Sequence, residues 1–213
     1  MLSFPARCER GVTLHRMTEP LRVFVSATLD LDDRRAVIGR ALARLPVQLG
    51  MEIRRTPATG ASWETMHELV ANVDRVYFLL GEDITAPAGA EWRLAWMLER
   101  RVLPLRHRRR AEVQRLTPAG ERFLREAPIP WQWFSSGADL ARIVSLDAIE
   151  ILLHPTNRYG LKVTELEALR GYAAQIAQSA LAVRSDAGGA EGGGVLLDDG
   201  RREPLLGVAL DKL

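Results

Sequence analysis

Val76-Tyr77-Phe78-Leu79-Leu80-Gly81 is the stretch that decides the fold. Five consecutive apolar residues closed by a glycine read as a strand buried on both faces, the kind found in parallel sheets. Ahead of it, Met66, Leu69, Val70 and Val73 follow a helical spacing behind Ser62, a candidate N-cap. Further upstream, residues 21–27 (LRVFVSA) read as a second buried strand. A helical pattern over 30–45 follows it, stopped by Pro46, and then a weaker strand over 51–55. Downstream, residues 87–89 read as a loop, 90–100 as a helix and 102–105 as a short fourth strand. Strands alternating with helices of this length imply βαβ units with right-handed crossovers.

Beyond residue 105 the pattern weakens. Residues 106–110 are a basic run, 117–126 a predicted helix, and Trp131, Trp133 and Phe134 an aromatic cluster. Two short helices are predicted over 137–144 and 146–154, and a long one over 163–183. Residues 185–194 read as a Gly-rich linker, and 195–206, with Asp199-Gly200, as a small hairpin. The predicted organisation is an N-terminal arm over 1–20, an α/β domain over 21–145, a helical extension over 146–184 and the linker with its hairpin over 185–213.

The 213 residues carry a formal net charge of +2, too small to imply a nucleic-acid partner by itself. The single cysteine, Cys8, excludes an internal disulfide and any cysteine-based metal cluster. The four histidines show no metal-ligand spacing, and nothing calls for a prosthetic group. No run approaches the roughly 18 apolar residues of a membrane span, and charges interrupt any signal-like core near the N-terminus. The expectation is a cytoplasmic protein without a membrane partner.

Candidate site residues follow from the carboxyl edge of the sheet, where open α/β sheets place ligands. Glu91, at the predicted start of its helix, shares a face with Leu94, Ala95 and Leu98 and so points towards the sheet. A carboxylate there can face a sugar; it also suits a helix N-terminus for purely structural reasons. Ser26 and Thr28 lie in the first βα turn, where hydroxyls and helix N–H groups can meet a ligand. Asp30, Asp32 and Asp33 crowd that turn and favour a ribose over a phosphate. Thr28 or Asp30 as a plain N-cap is the competing reading. Gly81 and Glu82 follow the strongest strand on the same edge, and Trp63 can stack on a base or pack at a rim.

Three blocks in order resemble a known group. Val23-Phe24-Val25-Ser26-Ala27-Thr28 with Asp30-Leu31 and Arg34-Arg35 is similar to the V-F-V-S-S-T…D-L…E-R signature of a family of bacterial TIR-like domains. Ala27 stands where that signature has serine, and Arg34 where it has an acid. The second block runs from Ala71 to Gly81, and the third is Ala90-Glu91-Trp92 with Ala95 and Arg101-Val102-Leu103-Pro104. The third looks like an element shared with TIR domains and nucleoside 2-deoxyribosyltransferases. The resemblance implies a flavodoxin-like parallel sheet with flanking helices, here with a helical C-terminal extension. It also implies NAD or a nucleotide as ligand, cleavage of the base–ribose bond with Glu91 as the carboxylate, and a setting in signalling or defence. The alternative is a non-catalytic module for nucleotide sensing or for assembly with a protein partner or a second copy. A nucleic-acid binder using residues 106–110 is the weakest reading.

Overall fold

The computed structural model describes residues 19–108, 116–127 and 129–188, with side chains through residue 179. Five strands form one parallel sheet: β1 (Leu21–Ala27), β2 (Met51–Arg54), β3 (Arg75–Leu80), β4 (Val102–His107) and β5 (Gln132–Phe134), in the order β2-β1-β3-β4-β5. Among the described residues six α-helices accompany them: α1 (Arg34–Ala43), α2 (Trp63–Ala71), α3 (Ala86–Met97), α4 (Pro118–Glu126), α5 (Gly137–Leu152) and α6 (Val163–Gly188). The fold is α/β and flavodoxin-like.

Alternation along the strands sorts the core. Val23, Val25, Tyr77, Leu79 and Leu105 face α1 and α5, where Ile38, Leu42, Leu140, Val144 and Ala148 close over them. Phe24 and Val76 face the other way, against Met66 and Val70 of α2 and Leu94 and Ala95 of α3. On that side, nearer β5, Phe78 and Trp92 meet edge to face at 4.7 Å, and Trp92 stacks on Trp131 at 5.7 Å. Arg75 at the start of β3 holds Asp147 of α5 through two hydrogen bonds of 3.0 and 2.7 Å.

Several boundaries differ from the sequence reading. The expected helix over 30–45 is split into a 3-10 turn, Leu29–Leu31, and α1. Residues 87–89, expected as a loop, lie in the first turn of α3, which starts at Ala86 with a proline at its amino end. Proline is tolerated there because its missing N–H would be unsatisfied anyway. The two short helices expected either side of residue 145 are one, α5, with Ser145 buried inside it. No glycine or proline interrupts this stretch, and the apolar period carries through it. The fifth strand went unread because it is three residues long with two of them exposed. The long helix runs on to Gly188, into the stretch expected as linker.

The chain divides into two compact units, residues 1–176 and 177–213. In the first, α6 contributes buried Leu169 to the core. Of the second, the described residues are the helical stretch 177–188. The hairpin expected over 195–206 and most of the N-terminal arm lie outside the described residues. Among the described residues no helix is long and apolar enough to cross a membrane.

Candidate functional site

The strand order sets where the sheet can open. The chain steps from β1 outward to β2, then crosses back over β1 to β3, so the winding reverses between β1 and β3. The loops after these two strands therefore diverge at their carboxyl ends, the usual place for a ligand crevice.

Glu91 lies at this edge. Because α3 begins at Ala86, Glu91 is in the second turn of the helix and not the first. The helix dipole acts mainly over the first turn, so the structural role expected for this carboxylate does not apply. Its face carries Ala88, Leu94 and Ala95 onto the sheet, and Glu91 goes with them, 1 % exposed. Each carboxylate oxygen accepts a hydrogen bond from a hydroxyl: Ser26 at the end of β1, and Thr56 in the loop after β2. Burial pushes the Glu91 carboxyl above the usual glutamate range, against the two hydroxyl bonds and the charge of Arg35, which hold it down. Arg35 itself reaches from α1 to the carbonyl oxygens of Val25 and Ala27, and its Nε donates to Asp32 at 2.8 Å. The result is a carboxyl group whose charged form is disfavoured by burial, touching a serine hydroxyl, at the carboxyl end of the sheet.

A second set of candidates meets between β1 and β3. Thr28 occupies the cap position of the 3-10 turn, but its hydroxyl makes no capping bond there. It donates to Asp30 Oδ1 at 2.7 Å and accepts from the Gly81 N–H at 3.0 Å. The Glu82 N–H donates to Asp30 Oδ2 at 3.0 Å. Thr28 and Asp30 thus lace the two diverging loops together. A methyl group on Gly81 would land on the Asp30 carboxyl, so this close approach needs glycine. The loop continues into α4: the Glu82 carbonyl accepts from the Thr117 N–H at 3.1 Å, and Asp83 takes the Thr117 hydroxyl and the Ile84 N–H.

Trp63 stands apart from both sets. Ser62 caps α2 by accepting from the Thr65 N–H at 3.2 Å, and this leaves Trp63, next in the chain, 45 % exposed. It lines a groove of about 420 Å³ with Gly89, Ala90, Arg93 and Met97. A further cleft, of about 540 Å³, lies at the opposite, amino edge of the sheet between Arg22, Asp74, Arg101, Glu150 and Arg158. It does not include Glu91.

The structure therefore gathers Glu91 with Ser26, and Thr28 with Asp30, Gly81 and Glu82, while Trp63 borders the helical face beside them. Two partners of Glu91 carry no signal of that role in the sequence. Thr56 sits in a loop without periodicity, and Arg35 falls within the family-like signature without pointing to the carboxylate. Among the described residues no group of histidine, cysteine or acidic side chains could hold a metal ion. No family model and no curated protein matches this chain.

Proposed function

We propose that the carboxyl edge binds the ribose of a nucleotide-type ligand, NAD or a nucleotide, and that the chain is a TIR-like module acting on the base–ribose bond. The observation that carries this reading is Glu91: a buried carboxylate, met by two hydroxyls and, among the described residues, in ion-pair contact with no guanidinium. Burying a carboxylate without an ion pair is costly, and an amide or an aliphatic residue would hold α3 to the sheet more cheaply. Groups kept under such strain cluster at functional sites. Cleavage of a ribosyl bond passes through an oxocarbenium-like state that a carboxylate beside C1 stabilises or attacks. Contact with a sugar requires Thr56 and its loop to move aside.

The test is release of free base from NAD and a nucleoside panel, followed by chromatography. Turnover by the natural chain, lost in Glu91→Gln with its melting temperature retained, supports the reading; unchanged turnover in the variant sinks it. A second reading is favoured by the 1 % exposure of Glu91 and the engagement of both its oxygens. In that reading the edge senses a nucleotide or assembles with a protein partner without chemistry. A nucleotide-dependent melting shift without base release selects it.

A further inference from the structure

The carboxyl edge continues past Gly81 to β4 and β5. Leu80, Arg106 and Trp133 form one row across three adjacent strands. The Arg106 guanidinium lies over the Trp133 ring at 4.4 Å, and that of Arg108 lies over the same ring at 5.0 Å. Trp133 is 40 % exposed. Neither arginine forms an ion pair among the described residues, and the buried Arg106 Nε has no hydrogen-bond partner there. On the adjoining loops Asp30 is turned to Thr28 and the Glu82 N–H, and Asp83 to Thr117 and the Ile84 N–H.

We propose that Arg106 and Arg108, laid on Trp133, form a phosphoryl-binding subsite, and that the ligand of this edge is a phosphorylated nucleotide and not a free nucleoside. Cation–π attraction draws two like charges to one indole ring, and guanidinium N–H groups gathered there suit an anion. Burial presses on the charge of Arg106, no carboxylate among the described residues pairs with it, and a bound phosphoryl group supplies that relief. The subsite lies two strands from β1, about 10 Å at ordinary strand spacing. That suits a nucleotide whose ribose sits by Ser26 and whose phosphates trail towards β4. The anion site stands on its own geometry; its assignment to a nucleotide rests on the function proposed above.

The experiment is calorimetric titration of the full chain with inorganic pyrophosphate at low salt, repeated with Arg106→Gln/Arg108→Gln. The expected result is binding that weakens with added salt and falls at least tenfold in the double variant. Should the double variant not fold, Arg108→Gln alone, at an exposed position, is expected to weaken pyrophosphate several-fold. Absence of pyrophosphate binding, equal affinity in the folded variant, or binding confined to single-stranded oligonucleotides overturns the proposal. Pyrophosphate binding lost in the variant, in a chain that cleaves no NAD, upholds the subsite and ends the glycosidase reading. Cleavage of NAD without pyrophosphate binding ends the subsite alone.

Discussion

Gly81→Ala puts the lacing between the β1 and β3 loops to a direct test. Gly81 has no left-handed backbone angle, so alanine meets no backbone strain there. What it meets is the Asp30 carboxyl, which the new methyl would overlap. To accommodate it, Asp30 must swing away and release the Thr28 hydroxyl and the Glu82 N–H, bonds of 2.7 and 3.0 Å. Hydrogen bonds to a charged group contribute about 1.5–3 kcal/mol each. Asp30 is exposed, so solvent screens it and the low end applies, giving a loss of about 2–3 kcal/mol. For a chain of this size that is a fall in melting temperature of roughly 5–10 °C. The partner variant Asp30→Ala loses the same bonds. In its background the carboxyl atoms that the methyl would overlap are gone, so alanine at position 81 should cost little, or stabilise by about 0.4–1 kcal/mol through the unfolded chain. Denaturant titration of both single variants and the double variant should give a coupling energy of about 2 kcal/mol. Additive losses, or a Gly81→Ala cost under about 0.5 kcal/mol, would refute the reasoning.

Two further outcomes follow from buried charge. The folded Glu91 carboxyl is raised above its unfolded value of 4.5, so the folded state holds its proton longer. Stability from this group is therefore lost as pH rises from about the unfolded value through the folded one, and is flat above. Glu91→Gln removes that loss: urea midpoints of variant and natural chain should diverge in the variant's favour between acid and neutral pH, and a constant difference would contradict the assignment. Asp147→Ala leaves Arg75, 14 % exposed, without its carboxylate and should cost about 3 kcal/mol, the low end for a broken buried pair. Replacing both by apolar residues of similar volume should recover most of it, as read in thermal melts.

How far the sequence disclosed this protein depends on how local each signal is. β3 is legible because its five apolar residues need no context, and α2 because Ser62 announces the helix that its side chain then caps. The start of α3 misled because Pro87 and Gly89 look like loop residues, although the first turn of a helix accepts both. That four-residue error changed the meaning of Glu91, moving it from a dipole partner to a buried group with its own hydroxyl shell. Ser26 was found because a strand end fixes its place on the edge. Thr56 was not, because its contact with Glu91 spans 35 residues and leaves no periodic trace. In the sequence Arg106 is only the first residue of a basic run; its stacking on Trp133 depends on β5, which is too short to leave a pattern.

The packing of α5 against α1 reaches beyond the static fold. Ile38 and Leu42 meet side chains about one hundred residues further along the chain. A growing polypeptide that has emerged only to residue 136 holds all five strands, with α1 alone to shelter one side of them. Until α5 arrives, Tyr77, Leu79 and Leu105 remain open to water or to other nascent chains. Because α6 adds Leu169 to the same side later still, this core closes only once the carboxyl-terminal helices have been made.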